Sequence, residues 1–254
     1  MAYRVLDLFS GGMGGFSLGL ERAGFETAAF CEISPDNRRM LKANWPHVPC
    51  YEDVRTITAA QLRADGITRV DAICGGFPCQ DASVANVRGQ GTAGARTGLF
   101  VEVVRLAREL GPKFILMENV PGLLSRGFGD VLGCLAESGF DAEWDCIRAR
   151  HVGADHERDR LWVLAYPRGS GREGSQPYLG ALVRAKAALT EHGDAAFRTW
   201  RSLVGGQHVL RSCDGLSVGM ERRRLFAIGN AIVPQIPELI GRAILAADAE
   251  RLAA

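Results

Sequence analysis

No apolar run in this 254-residue chain approaches the roughly 18 residues that a membrane-spanning helix needs. There is no Cys-x-x-Cys pair either. The seven cysteines (Cys31, Cys50, Cys74, Cys79, Cys134, Cys146 and Cys213) are odd in number, irregularly spaced and without clustered histidine partners. That argues against a disulfide framework and a structural zinc site, and no metal is expected. No targeting segment precedes the first apolar run, which points to a cytoplasmic protein. Internal repeats are absent. Lysine is scarce: Lys42, Lys113 and Lys186 are the only three, so basic charge is carried almost wholly by arginine.

What remains is an ordinary globular composition, 47% hydrophobic and 23% charged, with a net charge of +1. The length suits one large domain, or one domain with a small appendage. The charge is unevenly spread. Residues 166–224 hold ten Lys/Arg against five Asp/Glu, which makes that segment +5 and the rest −4. Such a segment fits a surface that contacts phosphates, and equally a solvated face.

Over the first 165 residues short apolar runs alternate with amphipathic stretches. Strands are expected at Tyr3–Phe9, Phe25–Cys31, Val70–Cys74, Lys113–Glu118, Asp141–Arg148 and Arg160–Tyr166. Helices are expected at Phe16–Ala23, Pro35–Trp45, Leu99–Leu110 and near Asp130–Glu137. This alternation predicts an α/β fold, a mainly parallel sheet with helices on both faces, whose last two strands form an antiparallel pair at one edge. A polar, glycine-dotted loop spans Asp81–Gly98. Pro167–Gly180 reads as a linker, Ala181–Leu189 as a short helix and Ile236–Leu252 as a final core-packing helix. The expected organisation is a main domain over 1–166, a small region over 167–219, and a segment, 220–254, that returns to the first domain.

Five short stretches carry chemistry. Gly75-Gly76-Phe77-Pro78-Cys79-Gln80-Asp81 presents a thiol at the carboxyl end of a strand, in a turn stiffened by Pro78. Cys79 is a candidate nucleophile there, or a small buried hydrophobe. Asp7-Leu8-Phe9-Ser10-Gly11-Gly12-Met13-Gly14-Gly15 joins first strand to first helix, where backbone N–H groups face nucleotide-like cofactors. Glu32, ending the second strand, can accept from ribose hydroxyls. The turn lacks G-x-G-x-x-G spacing, which disfavours a nicotinamide-dependent oxidoreductase. Glu118 follows four apolar residues, and burial there raises a carboxyl pKa. In a parallel sheet it shares an edge with Cys79. Arg158 and Arg160 sit two apart, hence on one face, either as a clamp on a phosphate or a carbonyl oxygen or as a salt-bridged surface turn with Glu157 and Asp159. Gly229-Asn230-Ala231-Ile232-Val233-Pro234-Gln235 is small enough to approach a ligand.

In this order, Gly76-Phe77-Pro78-Cys79-Gln80, Glu118-Asn119-Val120 and Gly229–Pro234 resemble the DNA (cytosine-5)-methyltransferase family, and compact phage or prophage members in particular. The resemblance implies a Rossmann-like methyltransferase sheet that binds S-adenosyl-L-methionine and releases S-adenosyl-L-homocysteine. It places Phe9, Ser10, Gly11, Gly14, Gly15, Glu32, Ile33, Asp53, Pro78, Asn230, Ala231 and Val233 around that cofactor. It assigns catalysis to Cys79, Glu118, Arg158 and Arg160, and double-stranded DNA contacts to Gln80, Ser83, Arg88 and Arg96. The implied enzyme is a monomer that flips a cytosine out of the duplex, adds Cys79 to C6 and methylates C5. Its setting is open between a lone methyltransferase, the protective half of a restriction-modification system and phage self-protection.

Three departures stand out. The first turn is one residue longer than Phe-x-Gly-x-Gly-Gly, so which glycine approaches the cofactor is open. His156 replaces the glutamine of Gln-x-Arg-x-Arg, with Asp155 where proline is common. The resemblance makes 1–166 the catalytic and cofactor-binding domain and 167–219 the target-recognition region; the latter is short, which implies a short target. The alternatives are an RNA (tRNA) cytosine-C5 methyltransferase of the same fold and a non-catalytic DNA-binding regulator.

Overall fold

The computed structural model describes residues 2–78, 98–125, 127–154, 158–169 and 231–253. Chain order among these is β1 (Arg4–Leu8), α1 (Gly15–Ala23), β2 (Glu26–Cys31), α2 (Pro35–Asn44), β3 (Cys50–Tyr51), α3 (Ala59–Ala64), β4 (Ala72–Gly75), α4 (Phe100–Leu110), β5 (Phe114–Asn119), α5 (Phe128–Glu137), β6 (Phe140–Arg148), β7 (Asp159–Pro167) and α6 (Gln235–Ala253). Seven strands form one sheet in the order β3-β2-β1-β4-β5-β7-β6. β1 to β5 pair in parallel, so their carboxyl ends line one edge. The expected antiparallel pair is present, running from Phe140↔Pro167 to Arg148↔Asp159. β7 also lies antiparallel to β5, with Glu118 opposite Trp162.

Alternation along the strands divides the interior in two. Leu6, Leu8, Ile73, Ile115, Met117 and Val163 pack with Val103, Val104 and Leu106 of α4 and Val131 and Leu135 of α5. Val5, Cys74, Phe114, Leu116, Trp162 and Leu164 face the other way, against Phe16 and Leu20 of α1 and Ile236, Ile240 and Ile244 of α6. All six residues of β5 are buried, as a central strand covered on both faces requires.

The helix ends follow their residues. Ser34 accepts from the Asn37 N–H ahead of Pro35, and Gly111 (φ 60°) stops α4 just before Pro112. Phe9 adopts φ 55°, which ends β1 one residue sooner than its apolar run suggests. β3 and α3 were not anticipated, since two and six residues are too short to display a period. Only the Thr58 cap, accepting from Gln61 N–H at 3.2 Å, marks the start of α3. The expected helix at Ala181–Leu189, the recognition region beyond Gly169 and nearly all of the Asp81–Gly98 loop lie outside the described residues.

Candidate active site

The carboxyl ends of β1, β2, β4 and β5 build two adjoining halves of one crevice. In the first half, Glu32 ties the glycine turn to the end of β2. Its Oε2 accepts from Gly11 N–H and its Oε1 from Ser34 N–H, both at 2.8 Å. Arg38 holds the carbonyls of Glu32 and Ile33 at 3.0 and 2.7 Å and so fixes the backbone that presents Ile33. Ile33 is 62% exposed. Asp53 accepts from Arg55 through its backbone N–H and its guanidinium, at 2.6–3.1 Å, and this holds its carboxyl below the usual range.

A side chain on Gly12 would strike Met40, one on Gly14 the Trp45 ring, and one on Gly15 the Ile232 carbonyl. Protein therefore crowds all three, and Gly14 (φ 53°) also holds a left-handed conformation that favours glycine. Gly11 (φ 61°) has nothing within 4 Å of where a Cβ would sit, so among the four glycines it alone faces open space. The surplus length ends in Met13, which points to solvent.

Beneath the turn, Asp7 is fully buried. Its Oδ2 accepts from the Ser17 hydroxyl at 2.7 Å and from the Ser17 N–H at 3.2 Å, which anchors the start of α1. Burial outweighs these bonds and pushes the Asp7 carboxyl up to about 7.

The second half centres on Glu118. Its carboxylate lies 2.7 Å from Arg160 Nε, and a Cβ on Gly76 would come within 3.1 Å of its Oε2. The turn that leads to Cys79 therefore runs directly against this carboxyl. Burial raises the Glu118 pKa, opposed by the charges of Arg160 and Arg158. The Arg158 guanidinium is lowered, first by burial and then by Arg160. Glu118, Arg158, Arg160 and Trp162 line one small cavity together with Ala231, Ile232 and Val233, so the C-terminal segment closes the same site. A buried carboxyl that can hold a proton, beside two guanidiniums, can grip a polarised N–C=O edge of a flat heterocycle.

The C-5 cytosine-specific DNA methylase family matches residues 3–190. The chain belongs to that family. A type II methyltransferase, M.CviJI, of Paramecium bursaria Chlorella virus IL3A is 35% identical over 168 residues, covering 65% of this chain and 43% of its own. M.NgoMIV of Neisseria gonorrhoeae is 35% identical over 170 residues, covering 65% and 52%. A DNA modification methyltransferase encoded within an E. coli prophage superposes with a TM-score of 0.55 at 28% identity, over 65% of this chain and 47% of its own. The chain thus spans about half the length of the relatives it matches. Membership in the methylase family implies S-adenosylmethionine as methyl donor. Among the described residues no group of His, Cys, Asp and Glu could hold a metal ion, and no helix is long and apolar enough to cross a membrane.

Of the residues named from sequence, Phe9, Ser10, Gly11, Gly14, Gly15, Glu32, Ile33, Asp53 and Pro78 lie on the strand-end edge, and Glu118, Arg158, Arg160, Ala231 and Val233 meet in the second half. Cys79, Gln80, Ser83, Arg88, Arg96, His156 and Asn230 lie outside the described residues. Sequence reasoning gave Asp7 and Asn119 no role of their own, although both stand in stretches it named, and it passed over Arg38. Asp7 carried a signal, an acid in the middle of an apolar strand; Arg38 carried none, being one of two adjacent arginines in a largely exposed helix.

Proposed function

We propose that this chain is a DNA cytosine-C5 methyltransferase that acts on duplex DNA as a monomer, through a covalent Cys79–C6 adduct. The observation that carries the reading is the buried Glu118 carboxyl, held by Arg160 and abutting Gly76 on the turn toward Cys79. C5 of cytosine is too weak a nucleophile to take a methyl group unaided. Addition of the Cys79 thiolate to C6 makes C5 enamine-like. Protonated Glu118 supports N3 and the exocyclic amine as the adduct forms, and Arg160 holds the base carbonyl oxygen, with Arg158 beside it. Loss of the C5 proton then expels the thiolate and restores the ring. A thiol of pKa about 8.5 is only a few per cent ionised at neutral pH, so the site must favour the thiolate.

The first half of the crevice suits S-adenosylmethionine. Gly11 leaves room for close backbone approach, the spare lone pairs of buried Glu32 suit ribose hydroxyls, and exposed Ile33 offers an apolar face to adenine. Asp53 would take the adenine amine, with Ala231, Val233 and Asn230 closing the far side. When bound, this cofactor supplies an electrophilic methyl group.

Gln80, Ser83, Arg88 and Arg96 would contact DNA around the flipped base, whose extrusion costs a few kcal/mol. The region 167–219 would select the target, and the type II names of the relatives favour a restriction-modification or phage setting in the cytoplasm. Expression in a methylation-free bacterium, followed by bisulfite sequencing, should leave cytosines unconverted in one short context, and Cys79→Ser should abolish the signal. Complete conversion with soluble wild-type protein present, or methylation of tRNA instead of duplex DNA, would overturn the proposal.

A further inference from the structure

The parallel ladder between β4 and β5 ends at Gly75↔Met117. Beyond it the backbones no longer pair, yet the chain leaving β4 is still held, because two successive β5 side chains reach it from opposite faces. Glu118 lies against Gly76, and Asn119 Nδ2 donates to the Phe77 carbonyl at 3.0 Å. Asn119 is 4% exposed, and its own Oδ1 accepts from Val120 N–H at 2.9 Å. With the oxygen so engaged, the amide orientation is set and the N–H must point at Phe77. The next residue is Pro78, whose ring fixes φ and which has no N–H to pair. The Phe77 ring is itself buried against Phe100 at 5.3 Å between centroids. Carbonyl, ring and proline thus leave little freedom ahead of residue 79.

We infer that Asn119 is a positioning residue for the nucleophile: its amide replaces the missing ladder bond and fixes the Phe77-Pro78 peptide, from which the chain runs on to Cys79. The inference rests on the function proposed above. An asparagine suits the task better than an aspartate. Only the amide both donates to one carbonyl and accepts from one N–H without burying a charge. The consequence is kinetic. Misdirecting an attacking atom by about 1 Å can cost around a hundredfold in rate without touching ground-state binding.

The test uses the full chain, S-adenosylmethionine and a duplex with 5-fluorocytosine at the target position, on which the covalent adduct accumulates. Asn119→Asp preserves shape but loses the donor, while Asn119→Ala removes it without adding charge. Asn119→Ser, which retains a short donor, serves if either variant folds poorly. The expected result is adduct formation slowed at least tenfold in Asn119→Asp and Asn119→Ala. Cofactor affinity and the KM for DNA should stay within about twofold of wild type, with a partial return of rate in Asn119→Ser. Adduct rates within twofold of wild type would overturn the positioning role while leaving the proposed function standing. So would a loss that simply follows cofactor affinity or melting temperature. A wild-type protein that forms no adduct would sink the function itself, and this inference with it.

Discussion

Glu118 and Asp7 are both buried carboxyls with raised pKa values, yet their surroundings give them different work. Glu118 faces two guanidiniums across a crevice; Asp7 faces a serine beneath a turn. For Glu118, replacement by glutamine keeps the shape and abolishes titration, and single-turnover methyl transfer should fall about 10²–10³-fold. Its pH behaviour is equally specific. The protonated acid is the active form, so the rate declines as pH rises through the elevated pKa. Arg160 stabilises the ionised form, so Arg160→Ala should lower the rate and move that alkaline limb to higher pH. A limb that stays in place in a pH profile of the variant would contradict the assignment. For Asp7 the effect is on stability. With a pKa of about 7 in the fold against 3.8 in its absence, the native state keeps a proton that the unfolded chain releases. Stability from this group therefore falls as pH rises from about 4 to 7 and is level above, a loss of roughly 4 kcal/mol at about 1.4 kcal/mol per unit. Asp7→Asn retains an acceptor for Ser17 without the charge. It should melt higher than wild type at pH 8 and close to it at pH 4; equal melting differences at both would exclude the ionisation.

At the scale of elements, the contact between α1 and α6 decides how the C-terminal segment reaches the crevice. A Cβ on Gly19 would lie 2.2 Å from the Pro234 carbonyl oxygen, and one on Gly15 2.6 Å from that of Ile232. These obstacles are backbone, so they yield only if the segment moves. Gly19→Ala should destabilise by about 1–3 kcal/mol and weaken cofactor binding, because Ile232 and Val233 shift away from Arg160. Gly11→Ala meets nothing in the protein, so beyond the modest strain of its φ its cost should appear as lost cofactor affinity. Calorimetry with and without cofactor separates the two. This division among glycines was invisible in the sequence, where all four in the first turn look alike; what crowds each is a residue from elsewhere in the chain. The strands and longer helices, in contrast, were legible almost to the residue, because buried strands read as continuous apolar runs and amphipathic helices as a repeating face. The pairing of Glu118 with Arg160 was half-legible. Alternation put Arg158 and Arg160 on one face and strand order put Glu118 at the shared edge, but the antiparallel insertion of β7 beside β5 brings them to 2.7 Å.

For the whole molecule, the first helix and the last are joined in one of the two cores. Ile236, Ile240 and Ile244 of α6 are 0–2% exposed, and they cover Phe16 and Leu20 near the beginning together with Trp162 and Leu164 in the middle. Complete burial of such a side chain contributes about 1.5–3 kcal/mol, so the three isoleucines together contribute roughly 5–9 kcal/mol. That is comparable to the entire stability of a typical domain, about 5–15 kcal/mol. The final helix is therefore a structural part of the methyltransferase sheet as well as the wall of its site, and the two roles cannot be separated by truncation. A chain ending before Ala231 should lose its cooperative thermal transition and expose an apolar face large enough to drive aggregation. Supplying α6 as a separate peptide should restore solubility and cofactor binding together, in proportion to peptide concentration. If the shortened chain instead melts cooperatively near the wild-type temperature and lacks only cofactor affinity, α6 is merely a lid over a core that stands without it.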